Sequence, residues 1–145
     1  MSAVQVRSYL MKARDFLRGM DLPEDLVESE CRHSSALLAI HSAISYSDAL
    51  RVGLGEGIGE LVSSDHKAAA SKLEKLLNQK KYDKRQGVRH LERLIGKKNS
   101  VAYTPEVLTE EAVKAMIEQA QRFSVWAETT GSYLKIEGWR DDEFE

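Results

Sequence analysis

The stretch ALLAIHSAISYSDAL, residues 36–50, decides the fold class of this chain. Its leucines and isoleucines are interspersed with alanines and serines, so apolar or small side chains face every direction around a helix. A helix of that composition has neighbours on more than one side. We therefore expect a long second helix, over residues 24–54, at the centre of the fold.

Apolar side chains recur at three- and four-residue spacing in four further segments, which is typical of amphipathic helices. The predicted helices span residues 4–20, 65–78, 84–98 and 110–131. Thr109 is expected to cap the last of them, with two glutamates in its first turn, where the helix dipole favours carboxylates. These segments predict an all-α fold, an antiparallel helical bundle of four to five helices.

The glycines from Gly53 to Gly59 indicate a linker after the central helix. They occupy every second position, but neither the ending of a phosphate loop nor the spacing of a dinucleotide fingerprint is present. Ser63 or Ser64 is expected to cap the helix that follows.

The end of the chain is expected to differ from the bundle. Residues 133–139 alternate apolar and polar side chains, which favours a short extended segment packed on the helices. The last six residues are mostly acidic. We predict one bundle domain over residues 1–131 and an acidic C-terminal tail over residues 132–145.

Composition excludes several classes of protein. The chain has 145 residues, 42% hydrophobic and 30% charged, values typical of a globular domain and not of a disordered chain. Cys31 is the only cysteine, which excludes an internal disulfide and a Cys-x-x-Cys site. No apolar run approaches the roughly 20 residues that span a bilayer. We expect a cytoplasmic protein with no membrane contact, metal or cofactor.

Charge is distributed unevenly along the chain. Residues 65–98 carry eleven basic and four acidic side chains, a net charge of +7, whereas the whole chain carries −2. Such a block attracts phosphates or an acidic protein surface, although it is also typical of a solvated helix face. The candidate phosphate-binding residues in this block are Lys84, Arg85, Arg89, Arg93 and Lys97.

A polar face of the second helix is another candidate site. His41, Ser45 and Asp48 follow one another at steps of four and three residues, which puts them on one side of a helix. Asp65 and His66, at the start of the next helix, are candidates for the same pocket. These groups can transfer protons, or they can form a hydrogen-bonded structural strip. None of them has a recognised metal-ligand spacing, so we expect no metal.

A third candidate site lies where the fourth predicted helix ends. Lys98 is followed directly by Asn99, and Tyr103 stands four residues further on. A cation, an amide and a phenol at a helix end can hold a phosphate or the edge of a nucleobase. The alternative is a lysine that complements the helix dipole, followed by an ordinary turn.

The order of the helices resembles the HEPN superfamily of small α-helical bundles. The resemblance is carried by residues 36–50, by SSDHK at 63–67 and by the Lys98-Asn99-x3-Tyr103 string, and it covers residues 4–127. Active members of that superfamily are metal-independent ribonucleases that pair an Arg-x4–6-His motif across a homodimer interface. Other members are non-catalytic, or they act with a nucleotidyltransferase in toxin–antitoxin modules.

The resemblance implies that Lys98 replaces the arginine, Asn99 matches the polar residue after it and Tyr103 replaces the histidine. A tyrosine, with a pKa of about 10, does not exchange protons at neutral pH as histidine does, and lysine lacks the bidentate fork of arginine. We therefore expect a homodimeric binding module whose basic surface contacts RNA, a nucleotide or an acidic partner, with little or no catalysis. The alternatives are a metal-independent ribonuclease or toxin–antitoxin component that uses the variant motif, for which the resemblance implies a nucleotidyltransferase partner, and a structural bundle without a ligand.

Overall fold

The computed structural model describes residues 2–20, 32–63, 65–98, 101 and 107–140. Within these ranges the backbone forms six α-helices, one 3-10 turn and no strand. The elements are α1 (Ser2–Met20), α2 (Arg32–Gly53), α3 (Ile58–Ser63), the 3-10 turn (His66–Ala68), α4 (Ala69–Gln79), α5 (Gly87–Gly96) and α6 (Glu110–Tyr133). The predicted all-α class is confirmed, whereas the described helices exceed the four to five predicted.

α2 lies at the centre of the helix packing. It contacts α1 and α6 most extensively and also touches α4 and α5. Its small side chains let α1 approach closely, and the Ser42 hydroxyl donates a hydrogen bond of 2.8 Å to the Ala13 carbonyl oxygen. Residues 24–31 of the predicted helix, including Cys31, lie outside the described residues. The described part of α2 therefore has the several neighbours that its composition predicts.

The glycine-rich segment is a linker for only part of its length. Residues 54–57 are not helical, but α3 begins at Ile58 and runs through Gly59. Leu61, one turn into α3, is buried in the core at 6% exposure. Burial of this side chain favours a helix despite the neighbouring glycine, since packing outweighs intrinsic propensity. The linker prediction was wrong for residues 58 and 59.

The third predicted helix is divided into a 3-10 turn and α4. The Asp65 carboxylate accepts a hydrogen bond of 3.0 Å from the Lys67 backbone N–H and caps the 3-10 turn. The sequence predicted this role for Ser63 or Ser64, of which Ser64 lies outside the described residues. The buried face of α4 consists of Ala69, Ala70, Leu73 and Leu77.

α4 ends in a turn that buries Tyr82. The backbone N–H of Tyr82 donates to the Leu77 carbonyl and that of Lys81 donates to the Asn78 carbonyl, the pattern of a Schellman motif. Lys81 occupies the left-handed position, with φ of +57°, where glycine is the usual residue. This turn reverses the chain and leads it into α5.

α5 is shorter than the predicted helix over residues 84–98. Gly87 lies against the ring of Trp126 from α6 and leaves no room for a side chain there. Trp126 Nε1 also donates to the Lys84 carbonyl oxygen at 2.8 Å. The helix then buries the apolar side chains of Val88, Leu91, Leu94 and Ile95. Its basic residues consequently face away from the core.

α6 begins as predicted, but the chain after it does not extend. The Thr109 hydroxyl accepts from the Ala112 backbone N–H at 3.1 Å, which confirms the predicted cap. Beyond Tyr133 the chain turns through Lys135, which has φ of +54°. The extended segment predicted over residues 133–139 was therefore wrong.

Two side chains in this last turn belong to the core. Ile136, 4% exposed, packs on Gly53, and Trp139, 2% exposed, packs on Gly131. The bundle accordingly continues at least to Trp139, beyond the boundary predicted at residue 131. Residues 141–145 of the predicted acidic tail lie outside the described residues.

Candidate functional site

Lys98 meets His66 just beyond the end of α5. Nζ of Lys98 lies 2.9 Å from Nδ1 of His66, which stands in the 3-10 turn. An ammonium group has only donors, so Nδ1 of His66 is the acceptor and the ring is neutral, with its proton on Nε2. The neighbouring Asp65 carboxylate is engaged by the backbone of the turn.

His41 joins this pair from the middle of α2. Its ring packs on Phe16 of α1, with the ring centroids 5.8 Å apart. Burial, followed by the charges of Lys98 and His66, lowers the pKa of His41. Burial, followed by the charge of Lys98, also lowers the pKa of His66. Two imidazoles that stay neutral at pH 7 therefore lie near the Lys98 side chain.

A pocket of about 430 Å³ opens at His66 and Lys98. We name it the His–Lys pocket, and its lining consists of Asp65, His66, Lys67, Glu92, Ile95, Gly96 and Lys98. The lining combines two ammonium groups, an imidazole and two carboxylates around one apolar side chain. Its volume lies in the range of small-ligand sites in proteins.

The outer side of α5 and the turn before it carry Arg85, Arg89 and Arg93, which we name the arginine row. Arg89 and Arg93 are four residues apart on α5, about 6 Å of helix rise, and Arg85 lies in the turn that precedes the helix. None of the ion pairs among the described residues involves them. Lys84 and Lys97 are exposed beyond the two ends of the row.

The arginine row and the His–Lys pocket are neighbours. The row lines a groove of about 310 Å³ whose other lining residues are Glu74, Val88 and Glu92. Glu92 lines the pocket as well. The groove with the predicted phosphate-binding arginines and the pocket with the first residue of the Lys98 string therefore meet at Glu92.

An exposed aromatic ring, that of Tyr133, lies against the segment of chain that precedes the arginine row. Tyr133 is 69% exposed, and its ring packs on Tyr82 with a centroid separation of 5.6 Å. Tyr82 in turn shares a hydrogen bond of 3.2 Å with Thr130 and lies three residues before Arg85. Sequence reasoning missed Tyr133 as a surface group because it assigned this residue to an extended segment.

Asp48 was predicted to share a pocket with His41 and His66, but its charged neighbour in the structure is Arg51. It lies 3.9 Å from Arg51, a guanidinium only 1% exposed that donates two hydrogen bonds of 2.6 Å to Glu56. Burial, partly opposed by the charge of Arg51, raises the pKa of Asp48 to about 7. Ser45, on the same face, is buried at 8% exposure. In the structure, His41 and His66 therefore lie near Lys98, and Asp48 pairs with Arg51.

A third polar cluster joins α1, α2 and α6 on a different side of the bundle. Arg14 donates two hydrogen bonds of 2.8 and 2.9 Å to the Glu128 carboxylate, and the Tyr46 hydroxyl donates a third of 2.8 Å. Burial, followed by the charge of Glu128, raises the pKa of Tyr46. We name this group the Glu128 cluster, and sequence reasoning did not single out any of its members.

No protein-family model, curated protein or solved structure matches this chain. A functional proposal therefore depends on the geometry of the side chains just described. In the described ranges, no group of three histidine, cysteine or acidic residues is arranged to hold a metal ion. The helices described in those ranges are each too short or too polar to cross a bilayer. Asn99 and Tyr103, predicted as partners of Lys98, lie outside the described residues.

Proposed function

We propose that this protein is a HEPN-like, homodimeric binding module that holds single-stranded RNA along α5, with little or no catalysis. The homodimer and the HEPN likeness come from the sequence resemblance. The RNA surface is supported by the arginine row, which ends at the His–Lys pocket. That arrangement of exposed cations is the single observation on which the proposal depends.

Electrostatics favours a phosphate backbone as the ligand of the arginine row. Guanidinium groups bind phosphates through paired N–H donors, and here three of them line one groove. The described part of the chain supplies no salt bridge that would occupy these three groups. The row is therefore available to an external anion without first breaking an internal ion pair.

The exposed ring of Tyr133 favours a single strand over an acidic protein. Aromatic side chains beside a basic groove stack on unpaired bases, and each stacked base contributes about 1–3 kcal/mol. The ring is held from behind by Tyr82, so its outer face is available for stacking. An acidic peptide would use the cations but would gain little from this ring.

Removing the arginine row should weaken RNA binding and its dependence on salt. We expect the triple variant Arg85→Gln, Arg89→Gln and Arg93→Gln to lower the slope of log K against log salt by about 2, since each phosphate contact on a single strand contributes about 0.7. Fluorescence anisotropy with a 12-nucleotide RNA over a salt series measures this slope.

A matched control removes three exposed cations from other helices, through Arg18→Gln, Lys114→Gln and Arg122→Gln. We expect the control protein to keep the slope of the unaltered protein. Equal losses in the two triple variants would show attraction by overall charge alone, and the proposed surface would then be wrong.

A metal-independent ribonuclease is the second candidate, because two neutral imidazoles and an ammonium group lie close together. One neutral imidazole can accept the proton of the attacking 2′-hydroxyl as the general base, and the Lys98 ammonium group can donate a proton to the leaving 5′-oxygen as its bond to phosphorus breaks. RNA cleavage that persists in chelator and disappears in both His41→Ala and Lys98→Ala would support this candidate. Tyr103→Phe tests the variant motif in the same assay.

A further inference from the structure

We propose that the His–Lys pocket is a binding site for a terminal phosphate, the phosphomonoester at one end of an RNA strand that lies along α5. This inference depends on the proposed function, because the strand is what brings its end to the pocket. The pocket shares Glu92 with the groove that the arginine row lines. A strand that follows the row therefore reaches Lys98 at its end.

The donors in the pocket suit a phosphate with three free oxygens. Lys98 gives one of its three N–H groups to His66 and keeps two. The neutral His66 ring keeps its Nε2–H, and Lys67 adds a second ammonium group to the rim. A terminal phosphate offers several strong acceptors to such a group of donors, and an internal phosphodiester offers only two unesterified oxygens.

Two carboxylates in the lining of the His–Lys pocket influence how tightly it can bind an anion. Asp65 is held by the backbone N–H of Lys67 and so caps the 3-10 turn instead of pairing with Lys98. Glu92 is exposed on α5 and makes no ion pair with the described cations. Glu92 therefore repels a bound anion, and its removal should strengthen the site.

Binding of a dianion should be accompanied by proton uptake at the two imidazoles. His66 faces Lys98, Asp65 and Arg51, and His41 faces Lys98, His66 and the ring of Phe16. Burial and the charge of Lys98 keep both rings neutral in the free protein. A phosphate dianion supplies the opposite charge, so it raises both pKa values and binds more tightly as the pH falls towards 6.5. Protonation of His66 at Nδ1 ends its hydrogen bond with Lys98, which frees the third N–H group of Lys98 for the phosphate.

The test compares RNA strands that differ only in their ends. A 12-nucleotide RNA carries a fluorophore at one end and either a phosphate or a hydroxyl at the other, and both polarities are used. We expect one of the two phosphorylated ends to bind about tenfold more tightly than its hydroxyl counterpart at pH 6.5, about 1.4 kcal/mol. At pH 8 the preference should fall to about twofold, because the imidazoles no longer take up protons.

Variants of the pocket separate this site from the arginine row. Lys98→Ala should remove most of the preference for the phosphorylated end, whereas the triple arginine variant should weaken both RNAs and leave their ratio unchanged. Glu92→Gln should increase the preference. Equal binding of the phosphate and hydroxyl ends in both polarities would overturn the inference while leaving the RNA surface in place.

A second measurement tests the pocket without RNA. Inorganic phosphate, titrated into the protein and followed by NMR of the histidine rings, should raise the pKa of His41 and His66. The same titration of the Lys98→Ala variant should leave the pKa of His66 unchanged, because the pocket has then lost its main cation. A rise at His66 without any RNA binding would refute the proposed function and retain the phosphate site. An equal rise at His66 in the unaltered protein and in Lys98→Ala would refute the site itself.

Discussion

The Glu128 cluster and the His–Lys pocket use charged side chains in opposite ways. In the Glu128 cluster, one carboxylate accepts three hydrogen bonds from Arg14 and Tyr46, and the Trp139 ring donates to its backbone. In the His–Lys pocket, Lys98 contacts only a neutral imidazole among the described residues. Charges that are paired hold helices together, whereas a cation without a carboxylate partner is available to a ligand. We therefore propose that the Glu128 cluster stabilises the fold and that the His–Lys pocket binds a ligand.

The strongest test of this comparison removes the shared acceptor of the Glu128 cluster. Glu128→Ala should lower the free energy of unfolding by about 3 kcal/mol, because it leaves the buried Tyr46 hydroxyl and the Arg14 guanidinium without their acceptor. Urea unfolding followed by circular dichroism measures the loss.

Glu118→Ala is the matched control on the same helix. Glu118 also pairs with an arginine, Arg122, at 2.6 Å, but both side chains are more than half exposed. We expect a loss below about 0.5 kcal/mol for this exposed pair. If Glu118→Ala and Glu128→Ala lowered the free energy of unfolding by similar amounts, the Glu128 cluster would not differ in stability from an exposed ion pair.

Asp48 sharpens the comparison, since it shares a helix face with His41 but lies against Arg51. Its pKa is raised to about 7, chiefly by burial, whereas an unfolded aspartate has a pKa of about 3.9. The folded state therefore holds a proton that the unfolded state releases, and the stabilising contribution is lost as the pH rises from about 4 through 7. Between pH 5 and pH 8 the loss should be about 2 kcal/mol.

Asp48→Asn isolates this contribution because an amide resembles the protonated acid. We expect the difference in unfolding free energy between the variant and the unaltered protein to move in favour of the variant from pH 5 to pH 8. The three histidines with lowered pKa values act in the other direction, losing stability as the pH falls, and they cancel in this difference. If this difference did not change with pH, the pKa of Asp48 would not be raised in the folded state, and the prediction would be wrong.

Helix periodicity predicted most of the fold, and local packing explains the remainder. The small and apolar composition of residues 36–50 was sufficient to identify α2 as the central helix. Ile136 and Trp139 were misread because alternating side chains also occur in a tight turn, and only the glycines beneath them show where they pack. α3 was missed because the surrounding glycines conceal a short helix whose stability comes from burying Leu61.

The sequence predicted individual residues of the candidate site, but it did not predict which of them lie close together. The spacing within α2 put His41, Ser45 and Asp48 on one face, as the sequence indicates. Residues on one helix face belong to the same pocket only if the side chains of the neighbouring helices leave them in contact with one another. Arg51 gave no sequence signal except that an arginine near the end of a helix of small residues is followed by Glu56 at the turn. In the structure Arg51 pairs with both Asp48 and Glu56.

The smallest expected effect is the loss of stability from the His–Lys pocket itself. Lys98→Ala and His66→Ala each remove the hydrogen bond between these two partly exposed side chains, in which no carboxylate takes part. Each variant should therefore change the unfolding free energy by less than about 0.5 kcal/mol. The same proteins should show altered RNA binding, which makes stability and ligand binding separable at this position. If either variant instead destabilised the fold by 2 kcal/mol or more, the pair would be a structural contact like the Glu128 cluster. The exposed cation would then have to be explained by folding and not by a ligand.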